Sequence, residues 1–324
     1  MGGVMDCAPV IMLVYNRPEQ TRRVFAAIQE ARPRRLYLAA DGPREQLEEE
    51  ERCAEVRSIV QRVQWPCQME TLFRDRNLGC GVAVRSALDW FFEHEPEGII
   101  LEDDCLPSQS FFRYCTELLA RYGHDTRVMS ICGSDFLSGK HQTDASYYFS
   151  MYHDPWGWAT WRRAWKLCDH NLKNWQQFFA SGGLKSLSDG QPEFERYWRN
   201  IFNDMQAGAI DTWDYPFIFS QFANRGLTCR PVVNMITNIG HHSSATHTKY
   251  ELDPLSNLPK FELQFPLRHP IVMVRDFGAD QLLSRTRFRI FPEVTRMGRV
   301  RKRMVTAVRR LSRVLPSQKE APAQ

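Results

Sequence analysis

The first 130 residues alternate short apolar runs with amphipathic stretches. Five apolar runs have the length of buried strands: residues 9–15, 35–40, 69–74, 98–104 and 128–132. The segments between them have the apolar spacing of helices: one from Pro18, one over 44–63, one over 79–93 and one from about Ser108. The glutamates at 48–51 are predicted to form a solvated helix face. This alternation predicts an α/β fold with a mainly parallel sheet flanked by helices.

The pattern changes near residue 145. Eight of the nineteen residues from 147 to 165 are aromatic, against 12% of the whole chain, so this stretch is not ordinary surface. Four further elements are predicted: helices near 157–168, 193–208 and 215–225, and a strand at 227–233. Residues 234–260 are predicted to be a long loop. Trp158, Trp161 and Trp165 have the spacing of a single helix face, which is typical of core packing.

Composition indicates an ordinary globular protein, with 43% hydrophobic and 25% charged residues. No apolar run approaches the roughly 20 residues that span a bilayer. Residues 1–8 lack the features of a secretory signal, so we expect a cytoplasmic protein. The nine cysteines include no Cys-x-x-Cys pair, which favours reduced thiols over a disulfide framework or a zinc site.

The net charge of +4 conceals an asymmetry between the body and the tail. Residues 285–313 contain eleven Arg or Lys and one acid, so they carry +10, whereas residues 1–284 carry −6. An apolar stripe at helical spacing lies among these arginines: Val300, Met304, Ala307, Val308, Leu311 and Leu315. This pattern is typical of an interfacial helix, so residues 285–315 are predicted to bind an anionic membrane surface. A disordered tail is the alternative. No nucleic-acid partner is expected, because the aromatic residues of a single-strand binder are missing.

The fourth apolar run ends in three adjacent carboxylates, Glu102, Asp103 and Asp104. In open α/β sheets, ligands bind where strands end. Because strand residues alternate between faces, Glu102 and Asp104 are expected to share a site while Asp103 faces the other way. Crowded carboxylates need a cation or donors opposite them, and Mn²⁺ or Mg²⁺ completed by substrate phosphates fits. A solvated acidic turn is the alternative for an isolated triplet.

Three more polar segments follow predicted strands and are expected at the same sheet edge. Their chemically useful residues are Asn16, Arg17, Asp41, Asn77 and Arg85. The Asn and Asp side chains can hydrogen-bond a base or ribose, and the arginines can pair with phosphate oxygens. Gly79 and Gly81 open a predicted helix, where backbone amides can approach an anion. Taken singly, each segment is typical of a turn or a helix cap, so the prediction depends on their order and spacing.

In chain order, four motifs resemble the nucleotide-sugar-binding half of GT-A fold glycosyltransferases: PVIMLVYNRP, ADGPR, RDRNLGCGVAVR and IILEDD. The resemblance is closest to bacterial sugar transferases similar to the N-acetylglucosaminyltransferases, whose Asp-x-Asp signature stands here as Glu-Asp-Asp. WGWATWRRAW, DTWDYPF and NIGHHSSATHT also resemble that family. The likeness covers roughly residues 8–250. It implies a nucleotide-sugar-binding half over 1–144, an acceptor-binding and catalytic half over 145–284, and a basic amphipathic tail over 285–324.

The resemblance also implies roles on the donor side. The residues that would meet the nucleoside are Asn16, Arg17 and Asp41. The residues that would meet the diphosphate or the donor sugar are Asn77, Gly79 and Arg85. Glu102 and Asp103 would complete the donor site, with Asp103 near the ribose. Asp104 would bind the Mn²⁺ or Mg²⁺ that bridges the diphosphate, and His247 is a candidate second ligand.

Asp214, in the sequence TWDY, matches the base that deprotonates the acceptor hydroxyl in the family. An alcohol is a poor nucleophile, so a carboxylate must take its proton while a metal stabilises the departing nucleotide diphosphate. A helix N-cap is the alternative for Asp214, and Asp211 is a second candidate base. Trp156 and Gly157, together with Trp158, are the candidates for a wall against which an acceptor sugar stacks.

The resemblance therefore predicts a GT-A type, metal-dependent, inverting glycosyltransferase, either a hexosyl- or an N-acetylhexosaminyltransferase of polysaccharide biosynthesis. The expected donor is a UDP-sugar, and the expected acceptor is a hydroxyl of a glycan or a lipid-linked molecule at the inner face of the membrane. A sugar-phosphate nucleotidyltransferase is one alternative, but it needs a Gly-rich basic loop where Asn16, Arg17 and Pro18 stand. A non-catalytic carbohydrate-binding module would explain the aromatic residues but not the acidic triplet together with Asp214.

Overall fold

The computed structural model describes residues 6–240, 255 and 257–291. The strands of this part are β1 Val10–Val14, β2 Arg35–Ala40, β3 Gln68–Phe73, β4 Glu97–Glu102, β5 Cys105–Pro107, β6 Val128–Cys132, β7 Tyr147–Ser150, β8 Trp158–Trp161, β9 Leu227–Pro231 and β10 Ile236–Asn238. The helices are α1 Pro18–Ala31, α2 Leu47–Val60, α3 Cys80–His94, α4 Gln109–Tyr122, α5 Arg162–Trp165, α6 Trp175–Ala180, α7 Gly183–Leu187, α8 Pro192–Gln206, α9 Asp214–Ala223 and α10 Phe277–Thr286.

Eight strands form the central sheet in the order β3-β2-β1-β4-β8-β6-β9-β7. The pairs β2–β3, β1–β2, β1–β4 and β6–β9 are parallel. The pairs β4–β8, β6–β8 and β7–β9 are antiparallel. The α/β fold with a mainly parallel, helix-flanked sheet is thus confirmed.

The first half of the chain follows its sequence pattern closely. α1 begins at Pro18, whose fixed φ suits the first turn, and its buried face includes Val24, Ala27 and Ile28. Every residue of β1 is buried, because the strand lies between β2 and β4 with helices on both faces. The apolar runs therefore identified the parallel strands correctly.

The predicted helix over 157–168 is wrong. β8 occupies Trp158–Trp161, and a single helical turn, α5, follows. Trp158 and Trp161 are three residues apart in a strand, so they point to opposite faces of the sheet and lie in different core clusters. Antiparallel pairing with β4 and β6 outweighs the helical spacing of the tryptophans.

The glutamates at 48–51 are not all solvated, and α2 begins at Leu47 rather than at residue 44. Glu49 is only 3% exposed. Its carboxylate accepts the backbone N–H of Arg44 at 2.8 Å and the amide of Asn16 at 2.7 Å. The Glu49 side chain therefore fixes the loop after β2. A run of acidic residues in the sequence does not show which of them has this structural role.

A second core, distinct from the sheet core, is built from aromatic side chains of the helices after β8. Trp175, Trp198 and Phe202 are fully buried there. α10 closes this core, with Leu283 and Ile290 buried against it. Residues 285–291, which the charge pattern assigned to the tail, therefore pack on the body.

The rest of the predicted tail, residues 292–324, lies outside the described residues, and so does the predicted interfacial helix. Among the described helices, none combines the length and the apolar character needed to cross a bilayer. β10 lies within the predicted loop of residues 234–260 and pairs with β5.

Candidate active site

A cavity of about 530 Å³ opens at the carboxyl ends of β1, β2 and β4. One wall comes from the strand ends and the start of α3, and it includes Arg17, Asp41 and the acidic triplet. The other wall comes from the second half of the chain and includes Trp156, Asp214 and Arg287. The strand-end segments thus converge as the parallel topology predicts.

Arg17 is the cation that faces the acidic triplet. Its Nη1 lies 2.6 Å from Asp104 Oδ2 and 3.4 Å from Asp103 Oδ1. Asp103 also accepts the backbone N–H of Tyr15 at 3.1 Å. The expectation that Asp103 faces away is wrong, because β4 ends at Glu102 and strand alternation stops there. All three acids line the cavity.

Burial makes Glu102 and Asp103 harder to ionise than free carboxylic acids. Desolvation, with the neighbouring carboxylates, raises the pKa of Glu102 to about 8. Desolvation also raises the pKa of Asp103 to about 6, although the charge of Arg17 opposes the shift. The Trp213 indole donates to Glu102 Oε1 at 3.2 Å, and this favours the ionised form. The cluster therefore carries less negative charge than three free carboxylates at neutral pH.

A divalent cation at Asp104 would need substrate groups to complete its shell. Within the part of the chain that the structure describes, no group of three or more His, Cys, Asp or Glu side chains is placed to hold a metal. One carboxylate plus substrate phosphates and water is nevertheless a usual Mg²⁺ environment. The Asp104 carboxylate fits that pattern, because it lines the cavity and shares its Oδ2 with a movable guanidinium. His247, the candidate second ligand, lies outside the described residues.

Asp41 and Asn77 meet, as expected, but they bind each other. Asp41 Oδ2 accepts from the Asn77 amide at 3.0 Å, and Oδ1 accepts from the backbone N–H of Leu78 at 3.0 Å and of Gly42 at 2.9 Å. Burial raises the pKa of Asp41 in spite of these donors. This pairing fixes the loop before α3 at the edge of the cavity, so Asp41 shapes the wall as well as lining it.

The start of α3 holds a carboxylate of the chain itself. Gly81 N–H donates to Asp211 Oδ1 at 3.2 Å, and a Cβ at Gly81 would collide with that oxygen. Gly79 has a φ of +79°, in the region that favours glycine. Asp211 therefore lies where a diphosphate was expected, and its carboxylate anchors the segment that leads to Asp214.

Two donor candidates do not line the cavity. Asn16 donates to Glu49, as described above. Arg85 is half-exposed on α3, with its Nε 3.7 Å from Asp89 Oδ2. Both residues belong to the quoted motifs, but Asn16 bonds to Glu49 and Arg85 lies beside Asp89, outside the cavity lining.

Asp214 is the first residue of α9, and the N-cap position belongs to Trp213. The Thr212 hydroxyl donates to Asp214 Oδ1 at 2.6 Å. Burial raises the pKa of Asp214, while Thr212 and the charge of Arg287 lower it. A carboxylate that lines the cavity, is oriented by a neighbour and has a raised pKa has the properties of a general base.

Sequence reasoning missed Arg287 and Asp154. Arg287 Nε lies 2.6 Å from Asp154 Oδ2, and its guanidinium is over the Trp156 ring at 4.9 Å. The sequence offered no local signal, because Arg287 stands among the basic residues assigned to the tail and Asp154 stands in an aromatic stretch.

The three candidates for the acceptor wall differ in how deeply they are buried. Trp156 lines the cavity and is partly buried. Trp158 is fully buried, stacked on Trp213 at 5.4 Å. Its ring has no face left for a sugar, so Trp158 belongs to the core rather than to an acceptor wall. Gly157 has a φ of +62° and packs against Ile236, where a Cβ would collide.

Comparison with protein-family models gives no match, and comparison with curated protein sequences gives none. Solved structures give distant matches. HddC from Yersinia pseudotuberculosis is 10% identical with a TM-score of 0.30, over 48% of this chain and 77% of its own. A mannosyltransferase from Pyrobaculum calidifontis, in complex with GDP-Man and Mn²⁺, is 12% identical with a TM-score of 0.33, over 49% of this chain and 47% of its own. Mouse xyloside xylosyltransferase 1 is 10% identical with a TM-score of 0.31, over 67% of this chain and 82% of its own. Similarities this low assign neither a family nor a reaction to this chain.

Proposed function

We propose that this protein is a metal-dependent, inverting glycosyltransferase that moves a hexosyl or N-acetylhexosaminyl group from a UDP-sugar to an acceptor hydroxyl. The observation that carries the proposal is the cavity itself. It brings an acidic triplet with a paired arginine to one wall and a buried, oriented carboxylate to the opposite wall. The motif resemblance to GT-A transferases supports the same reaction. The expected acceptor is a glycan or a lipid-linked molecule of polysaccharide biosynthesis.

On the donor side, Asp104 would hold Mn²⁺ or Mg²⁺ and Arg17 would contact the diphosphate. When bound, the cation would neutralise charge on the departing nucleotide diphosphate. Arg17 can bind a phosphate oxygen and Asp104 together, because a guanidinium has five N–H donors and only Nη1 has a described bond to the acids. Asp41 and the loop that it fixes would border the nucleoside.

On the acceptor side, Asp214 would remove the proton from the attacking hydroxyl. The Thr212 hydroxyl, which donates to Asp214 Oδ1, would hold the carboxylate in place for the acceptor. Attack from the wall opposite the diphosphate gives inversion at the sugar carbon. The half-buried ring of Trp156 would support the acceptor sugar, and Arg287 would orient that ring through the cation–π contact.

Calorimetry of UDP binding tests the donor half of this proposal. We expect Mn²⁺ to tighten UDP binding to the wild type, and we expect Asp104→Ala to lose that enhancement. Asp89→Ala is the matched control, because Asp89 is a half-exposed carboxylate paired with Arg85 outside the cavity. Equal metal enhancement in wild type and Asp104→Ala would remove Asp104 from the metal site.

The product identifies the reaction class. With a panel of UDP-sugars and Mn²⁺, a transferase releases UDP by slow donor hydrolysis even without its acceptor. Formation of pyrophosphate from a nucleoside triphosphate and a sugar phosphate would instead identify a nucleotidyltransferase. Donor binding without turnover of any kind, in the presence of candidate acceptors, would favour the non-catalytic module.

A further inference from the structure

Four exposed apolar side chains lie on the segment that covers the edge of the sheet. The segment runs beside β7, with Ser146 N–H donating to the Arg268 carbonyl and Asp276 N–H donating to the Phe149 carbonyl, both at 2.7 Å. Between these anchors the chain bends after Pro270. Ile271 is fully exposed, Val272 and Val274 are each 61% exposed, and Phe277 is 54% exposed. We call these four residues the apolar tip.

We propose that the apolar tip is a membrane-docking surface that inserts into the interfacial region of an anionic phospholipid bilayer. Four large apolar side chains within seven residues are too concentrated to be scattered surface residues. Their fixed backbone makes the tip a preformed wedge, since Met273 between them packs on the sheet core while its neighbours point outward. Such a wedge can enter the headgroup and acyl boundary without any refolding.

The size of the tip favours a lipid surface over a second copy of the chain. A stable protein–protein interface takes about 20 to 30 residues from each partner. The tip offers four exposed apolar residues, far fewer than such an interface requires. A few apolar side chains do suffice for reversible interfacial binding when basic residues assist them.

One cation lies close to the tip in the chain, and others lie further along it. Arg268 is exposed three residues before the tip, whereas Arg285 and Arg289 are exposed at and beyond the far end of α10. Three acids near the tip have partners within the protein: Arg275 binds Asp280 and Asp189 and lies over the Phe277 ring, and Asp276 lies 3.1 Å from His141. Beyond Phe291 the sequence adds eight Arg or Lys by residue 313 against the single acid Glu293. Cations close to an anionic membrane attract it by about 1 kcal/mol each.

Vesicle sedimentation of the full chain tests the docking surface without any substrate. The probes are vesicles of phosphatidylcholine alone and of phosphatidylcholine mixed with phosphatidylglycerol. The tip variant is Ile271→Ser/Val272→Ser/Val274→Ser, and the matched control is Leu47→Ser/Val82→Ser/Leu167→Ser, three exposed apolar residues on other elements. We expect the wild type and the control to bind the anionic vesicles equally, and the tip variant to bind about tenfold or more weakly.

Insertion itself is measured with a reporter. In Ile271→Trp, brominated acyl chains are expected to quench the added fluorescence, whereas in Leu47→Trp they are not. Equal vesicle binding by the tip variant and the wild type would overturn the proposal and leave binding to the basic tail alone. Failure of the wild type to bind anionic vesicles would also overturn it. A wild-type dimer that the tip variant dissociates would identify a second copy of the chain as the partner.

Discussion

The two walls of the cavity are built on different principles. On the strand-end wall, polar side chains pair with one another: Arg17 with Asp103 and Asp104, and Asp41 with Asn77. On the opposite wall, the polar groups are set among aromatic side chains: Asp214 accepts from Thr212 and stands between Trp213 and Tyr215 in the chain, and Arg287 pairs with Asp154 beside Trp156. A paired wall can bind and release a charged ligand by exchanging partners. An aromatic wall holds one reactive group rigidly and keeps water away from it.

The largest effect is expected on turnover, from substitution of Asp214 on the aromatic wall. Asp214→Asn should lower the turnover number by about 10²- to 10⁴-fold, the usual scale for loss of a general base, with donor affinity near wild type. Asp204→Asn is the control, because Asp204 is an exposed acid of α8 that does not line the cavity. Steady-state kinetics with the acceptor measure both. An equal loss in the two variants, or a loss of folded protein in Asp214→Asn, would make Asp214 a structural residue.

The aromatic core behind that wall should respond strongly to truncation. Trp198→Ala removes a fully buried ring that contacts Phe202 and Phe222, and it should cost about 3–5 kcal/mol of the free energy of unfolding. Ile28→Ala in the sheet core should cost about 2–5 kcal/mol. Urea titrations followed by circular dichroism give both values. Two separate transitions in Trp198→Ala would show that the aromatic core unfolds independently of the sheet core.

His153 lies in the core among Trp158, Trp213 and Phe217, and it should make stability depend on pH. The ring is fully buried against Trp158 and Phe217, and burial, with Arg230, holds its pKa well below 6.5. Below about pH 6.5 the unfolded chain binds a proton that the folded protein excludes, so the free energy of unfolding falls as pH falls, by about 1.4 kcal/mol per pH unit.

The test compares wild type with His153→Gln in urea titrations at pH 7.5, 6.5 and 5.5. Acidic side chains titrate in both proteins, so the difference between them isolates the histidine. We expect the free energy of unfolding to fall less steeply with decreasing pH in His153→Gln than in the wild type. An identical slope in both proteins would mean that His153 becomes protonated in the folded state.

The smallest effect on stability is expected from loss of the hydrogen bond between Trp213 and Glu102, which joins the two walls. Trp213→Phe keeps a ring stacked on Trp158 but removes the indole donor to Glu102. The loss should be about 0.5–1.5 kcal/mol of the free energy of unfolding. Thermal unfolding measures it, and Trp213→Leu, which removes the ring as well, should cost more. Equal losses in the two variants would mean that stacking on Trp158 contributes nothing and would assign the effect to the indole donor alone.

Prediction from sequence succeeded where structure is local. The parallel strands β1, β2 and β4 are predominantly apolar runs, and polar residues at their carboxyl ends line the cavity, whereas β3 is mostly exposed. In the aromatic half, the helices predicted near 193–208 and 215–225 and the strand predicted at 227–233 match α8, α9 and β9, whereas the helix predicted over 157–168 is wrong. β8 inserts between β4 and β6, far apart in sequence, so its partners and not its own spacing decide its conformation.

The sequence by itself determined the α/β class, the buried strands and the acidic triplet at a strand end, because apolar periodicity and chain order are properties of the sequence alone. The tertiary structure decided which polar groups pair. Arg17 faces the triplet, Glu49 turns inward, and Arg287 joins Asp154 behind Trp156. These contacts span from about thirty to more than a hundred residues of chain. Their geometry follows from how the sheet and the aromatic core pack, and no local pattern records it.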